Sequence, residues 1–262
     1  WKLIFPGTSH RTTLAALHRQ GLGGDLGGLL GTNAADNPMR RAVSAAAHRL
    51  HGLTLSISHL LGPPGTVLQL GVGHPDDVQD QLAAAARRRF QAPEHPPADV
   101  VVVNSYPWPG DPMQSFKTLI HHAAACRPGG LLVGFFWTDP GEMDRSIKLA
   151  RLRAVAAGGR AIGWTVKRGV SAAAWAMTNL SVPNAFMASW ARELVADRTV
   201  LLYSPGLHER LGPWLGPVRI FSDQKALWDV ACRLLASTAA VRVRTFPIGG
   251  LTYCPGAAAK AS

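Results

Sequence analysis

Residues 98–137 read ADVVVVNSYPWPGDPMQSFKTLIHHAAACRPGGLLVGFFW. The run Val100 to Val103 is apolar at every position, the pattern of a strand buried on both faces. Pro107, Pro109, Gly110 and Pro112 then punctuate a loop. From Gln114 to Cys126 the chain carries good helix formers, and Phe116, Leu119, Ile120 and Ala123 recur on one helical face. Pro128-Gly129-Gly130 ends that helix, and Leu131 to Phe136 is a second buried run. Strand, helix and parallel strand make a βαβ unit with a right-handed crossover. Ligands of such sheets bind outside the carboxyl ends of the strands. That rule singles out the loop Asn104–Met113, with Gln114 and Lys117 at the head of the helix. An anion there would meet a partly positive helix terminus and the Lys117 ammonium. Residue spacing alone leaves a second reading open, in which Gln114 and Lys117 are solvated surface residues.

Outward from this unit, Ala92-Pro93-Glu94-His95-Pro96-Pro97 reads as a linker. It divides a first domain, 1–95, from a second, 96–240, leaving a tail at 241–262 expected to return as a strand toward the first domain. Before the linker we expect a short strand Leu3–Phe5 and a helix Leu14–Gln20 carrying His18. A glycine-rich loop Gly21–Gly31 and a helix Arg40–Leu50 follow. Apolar runs Leu53–Leu61 and Thr66–Gly71 flank Gly62-Pro63-Pro64-Gly65 as a hairpin, and a helix runs from His74 to about Phe90. Beyond residue 137, helical material is expected around Met143–Ala157 and Ala185–Ala196, with a short run Arg160–Val166 between. Thr199–Tyr203 and Val218–Phe221 read as strands, Gln224–Ala236 as a helix, and Val241–Phe246 as an edge strand. The alternation makes the second domain α/β with a mostly parallel sheet.

Composition narrows the classes. At 262 residues there is room for one or two cored domains. No apolar run is long enough to span a membrane. Three scattered cysteines, Cys126, Cys232 and Cys254, fit reduced thiols of a cytoplasmic protein better than a disulfide frame or a zinc site. The 27 basic residues outnumber 16 acidic ones, for a net charge of +11. The arginines are dispersed and no aromatic-interleaved basic motif appears, so neither a nucleic-acid nor a membrane partner is expected. Trp1 opens the chain on a strand, which reads as part of a longer protein.

Two family resemblances are carried by separated motifs. Val67-Leu68-Gln69-Leu70-Gly71-Val72-Gly73 with the later Arg127-Pro128-Gly129-Gly130 resembles a SAM-dependent methyltransferase. Pro75 replaces its usual third glycine, and no acidic residue closes a second strand about twenty residues on. The fuller match is to the nickel-pincer lactate racemase family. Lys2-Leu3-Ile4-Phe5-Pro6-Gly7, Thr12-Thr13-Leu14 and His18 resemble its lysine, Pro-Gly turn and histidine-bearing helix. Gly31, Asn37-Pro38 and Arg40, then Gly73-His74-Pro75, Ala98–Val101, Tyr106-Pro107, the Gln114/Lys117 helix start and Arg127–Gly130 follow in the family's order. Together they cover roughly residues 2 to 136.

The resemblance implies a partial N-terminal cofactor domain before the α/β domain, which would close on substrate about Pro93–Pro97. Lys2 would attach a nickel-bearing pyridinium mononucleotide, the nickel-pincer nucleotide, through a thioamide. His18 would be the protein's nickel ligand, and cofactor-maturation proteins would be partners. Gln114 and Lys117 would hold the carboxylate of a small 2-hydroxy-acid substrate, whose carbinol hydride is transferred and returned on the opposite face. The family's two acid–base histidines precede the lysine, so no catalytic residue is assigned within this chain. Ser105 stands where the family has glycine, and Pro109 where it has an acidic residue, with Asp111 two further on. A family member that binds an anionic metabolite and has lost the chemistry is the non-enzymatic alternative.

Overall fold

The computed structural model describes residues 12, 13, 16, 38–49, 55–108, 112–137 and 197–255. Lys2, His18 and the elements expected at 3–5, 14–20, 143–157, 160–166 and 185–196 lie outside the described residues, residue 16 apart. Two compact units meet in sequence between Ala92 and Pro93.

In the first unit, helix α1 (Pro38–Ala47) precedes an antiparallel ribbon of β1 (Ser56–Leu61) and β2 (Val67–Gly73), and helix α2 spans Pro75–Phe90. The ribbon turns at Gly62–Gly65, where Gly65 takes φ 81°, a conformation glycine adopts freely. Helix α2 packs on one ribbon face so closely that a Cβ at Gly71 would lie 2.9 Å from Val78. Proline at its first turn, Asp76 and Asp77 beside it, and Arg87 to Arg89 in the last turn all suit the helix dipole. Arg40 pairs with Asp80 at 2.7 Å, and His48 lies 2.6 Å from Asp76, tying the end of α1 to α2.

This arrangement overturns the methyltransferase reading. The glycines of Val67–Gly73 lie on a ribbon strand that, among the described residues, pairs only with antiparallel β1 and has no parallel partner. A cofactor turn of that class needs the parallel crossover.

The second unit contains a six-stranded sheet of order β6-β7-β5-β4-β3-β8. Its strands are β3 (Ala98–Asn104), β4 (Cys126–Phe135), β5 (Thr199–Tyr203), β6 (Trp214–Leu215), β7 (Val218–Phe221) and β8 (Val243–Phe246). All neighbours are parallel except β6 with β7, so the fold is α/β with a mostly parallel sheet. Helix α3 (Pro112–His122) joins β3 to β4, α4 (Pro205–Leu211) follows β5, and α5 (Gln224–Leu235) follows β7. Val100, Leu131, Val133, Leu201 and Phe221 form a core with Leu227, Val230 and Ala231 of α5. Strand alternation turns Val101, Val103, Leu132 and Leu202 to the other face, where Leu119 of α3 packs over Gly134. Side-chain caps start two helices: Ser204 accepts from Leu207 N at 3.4 Å and Asp223 from Ala226 N at 2.8 Å.

One expectation is corrected. The helix ends at His122, and a 3-10 turn Ala123–Ala125 leads straight into β4 at Cys126, so Arg127–Gly130 does not terminate the helix. Those residues bulge within the ladder between the pairs Ala98–Cys126 and Val100–Leu131, with Gly129 at φ 75°. The edge strand expected at Val241–Phe246 forms over Val243–Phe246 and pairs in parallel with Val100–Val103. The second edge of β3 would otherwise bury unpaired amides, and β8 satisfies them.

Gly134 tests the packing. A Cβ there would lie 2.7 Å from Leu202 Cδ2, 3.0 Å from Phe136 and 3.1 Å from Leu119. Gly134→Ala should therefore cost about 1–3 kcal/mol by overpacking. Urea denaturation reads this directly, and an unchanged midpoint would contradict the layer assignment.

Candidate functional site

The C-terminal end of β3 leads into a loop built by its own hydrogen bonds. Ser105 N donates to Phe135 O at 3.0 Å, extending the ladder by one residue. Asn104 Oδ1 accepts from Tyr106 N at 3.0 Å, a turn that asparagine favours. The Tyr106–Pro107 bond is cis, and Trp108 N donates back to Ser105 O at 3.0 Å. The Trp108 indole donates to Gly250 O at 2.9 Å, while Gly250 N donates to Tyr106 O at 2.9 Å. These two bonds stitch the loop after β3 to the turn after β8. Both glycines of that turn are needed: a Cβ at Gly249 would lie 2.7 Å from Asn104 O, and one at Gly250 would strike the Trp108 ring.

Helix α3 begins over this loop. Ser115 Oγ donates to Trp108 O at 3.2 Å, and Thr118 Oγ1 donates to Ser115 O at 2.6 Å. Gln114 and Lys117 lie in its first two turns and are half-buried. The sheet order shows why ligands suit this place. From β3 the chain proceeds through β4 and β5 to β7, then returns to place β8 on the other side of β3. The loops after β3 and β8 therefore face each other at the topological switch point of the sheet.

The electrostatics are asymmetric along α3. Burial pushes the His121 imidazole down to about 4, and the charge of Lys117 one turn earlier adds to the effect. Burial likewise takes His122 to about 4, against the opposing pull of the Thr118 carbonyl. His122 is a structural residue. Its Nδ1 donates to Thr118 O at 2.6 Å, which leaves Nε2 to accept from the Thr252 hydroxyl at 3.0 Å. Its ring stacks at 4.2 Å on Phe246, fastening α3 to β8. Neutral imidazoles at both positions leave Lys117 as the positive group on this side of the helix among these three.

At the opposite end of the strands, Arg127 Nε donates to Asp99 at 2.6 Å and Arg242 N at 2.8 Å. The Arg242 amide, then the Arg127 guanidinium, hold the Asp99 carboxyl below its usual range. Gly130 is required beside them, because a Cβ would come within 2.9 Å of Asp99 O. The Arg-Pro-Gly-Gly motif thus clamps the start of β3 to β4, away from the ligand end.

The structure brings Gln114 and Lys117 together at the head of α3 and leaves Lys2 and His18 outside its described residues. Among the described residues, no group of three or more His, Cys, Asp or Glu side chains is placed to hold a metal. No described helix is long and apolar enough to cross a membrane. Sequence reasoning missed the stitch between Trp108 and Gly250. The pair Gly249-Gly250 just after an edge strand was its one signal, since paired glycines mark close backbone approach.

No protein-family model and no curated protein sequence matches the chain. Among solved structures, the lactate racemase apoprotein from Thermoanaerobacterium thermosaccharolyticum superposes with a TM-score of 0.59 at 14% identity, over 84% of this chain and 50% of that one. A protein from Thermotoga maritima aligns at 9% identity with a TM-score of 0.47, over 84% of this chain and 54% of that one. The chain thus spans about half the length of each. Its fold is similar to that of the lactate racemase apoprotein.

The two histidines make stability acid-sensitive. An unfolded imidazole takes up a proton near pH 6.5, whereas the folded ones refuse it until about pH 4. Their contribution is therefore complete above pH 6.5 and is lost progressively as pH falls toward 4. Urea midpoints at pH 7, 5.5 and 4 should fall in that order, and a flat series would contradict the buried neutral state.

Proposed function

We propose that this chain is part of a 2-hydroxy-acid racemase or epimerase of the nickel-pincer lactate racemase kind, and that the head of α3 binds the substrate carboxylate. The observation that carries the reading is the position of Gln114 and Lys117. They stand on the first turns of the helix that leaves β3, at the switch point of a parallel sheet. The likeness of fold to a lactate racemase apoprotein supports it.

In this reading the Lys117 ammonium supplies the charge and one hydrogen bond to a carboxylate oxygen. The Gln114 amide donates to the other, fixing the acid's orientation. The built loop Asn104–Trp108 forms a rigid floor, which matters because misplacing a reacting carbon by an ångström is costly. Lys2 would attach the nickel-pincer nucleotide and His18 would ligate its nickel, roles that rest on their register in the sequence. When bound, that cofactor would supply the hydride acceptor. The acid–base histidines would come from a part of the protein preceding Lys2, the cofactor would be installed by maturation proteins, and the enzyme would work in the cytoplasm.

Lys117→Ala in the whole protein should weaken lactate binding about tenfold or more, the worth of one charge-assisted hydrogen bond. Calorimetric titration measures the affinity, and metal analysis should find nickel content unchanged. Loss of nickel with lactate affinity intact would remove Lys117 from the substrate role.

A further inference from the structure

The β1–β2 ribbon has two faces, and the more apolar one points away from its helix. Ladder partners share a face, so the rungs Ile57–Val72, His59–Leu70 and Leu61–Val67 lie together. Gly71 lies against Val78 and Leu82, which puts α2 on the opposite face. That covered face carries Ser56, Ser58, Leu60, Gln69 and Gly71. The outer face carries Ile57, Leu61, Val67, Leu70 and Val72, each more than half exposed. A ribbon with a helix on one side and water on the other alternates the opposite way, with its polar residues outward. The alternation therefore marks the outer face as one that the working protein buries.

We propose that a second copy of the protein covers this face, giving a two-fold dimer through the β1–β2 ribbons. Three features select that occupant. The paired rungs hold no Lys, Arg, Asp or Glu, although the chain carries a net charge of +11, so the face offers a charged partner nothing to read. Its pattern is also self-complementary, with an aliphatic rung on either side of the His59–Leu70 rung. A two-fold axis through that middle rung sets Ile57–Val72 of one copy against Leu61–Val67 of the other. The area suffices as well. With Leu55, which extends the face before Ile57, these side chains offer on the order of 600 Å² of apolar surface. Two such faces bury about 1,200 Å² together, which reaches the range of specific interfaces. A patch of this size left open to water is uncommon on a monomer. The dimer does not depend on which acid the head of α3 takes.

The test follows the oligomeric state of the whole protein by sedimentation velocity over a concentration series. Wild type is compared with Ile57→Lys, with the double variant Ile57→Thr/Val72→Thr, and with Leu234→Lys at an exposed leucine of α5. Threonine keeps the β-branched shape that strands prefer, so the double variant decides the matter if the lysine variant fails to fold. Wild type should be a dimer, and the threonine pair should weaken it at least tenfold, because the lost apolar groups count once in each copy. Ile57→Lys should be monomeric, and Leu234→Lys should dimerise like wild type. A monomeric wild type overturns the proposal, and so does a dimer that the double variant leaves intact. If the whole protein is monomeric and the ribbon variants lower its thermal midpoint, the face is covered by the same polypeptide and the second copy is wrong. Equal weakening by Leu234→Lys would remove the interface from the ribbon.

Discussion

Strand β3 is apolar along its length, and its burial requires both edges to be paired. A central parallel strand satisfies its amides only through neighbours on each side. Strand β4 supplies one side through the βαβ unit, and β8 supplies the other from more than a hundred residues away. Everything at the candidate site follows from that second pairing. It brings Gly249 and Gly250 against the loop after β3, where Gly250 O accepts from the Trp108 indole and Gly250 N donates to Tyr106 O. It also sets Phe246 against His122, which fixes the far end of α3.

The two ends of β3 divide the labour. At its start, charge is spent on structure, with Asp99 held between Arg127 and the Arg242 amide. At its finish, Asn104 turns the loop on itself and Ser115 ties it to the helix, with Lys117 on the next turn. Fixed strand ends and a stitched loop make the head of α3 a rigid place. Such preorganisation favours binding because little motion is lost when a ligand arrives.

Much of this was legible in the residues. The unbroken valine run marked a doubly buried strand, and the helical spacing of Phe116, Leu119 and Ile120 marked the crossover face. The alternating Val243–Phe246 was readable as an edge strand but not which sheet it joins, since pairing partners depend on tertiary closure rather than local pattern. Arg127–Gly130 misled because Pro-Gly-Gly commonly ends helices, whereas here the same residues form a bulge opposite Asp99. Of the glycines of Val67–Gly73, Gly71 relieves crowding against Val78 on the ribbon, where the methyltransferase likeness would have it shape a nucleotide turn. Ser105 was visible only as a departure from a family pattern. That its buried hydroxyl has no hydrogen bond among the described residues needs coordinates, because hydrogen-bond satisfaction is a property of the folded environment.

The most direct measurement is an amide chemical-shift map of the labelled protein titrated with lactate. The account predicts that perturbations centre on Ser105 to Trp108 and on the first two turns of α3, through Lys117. Weaker changes should appear at Gly250, which shares hydrogen bonds with that loop, and at Gly249, which lies against Asn104 O. Saturable shifts centred instead on the β1–β2 ribbon or on the Arg127–Asp99 clamp, with the head of α3 silent, would contradict it.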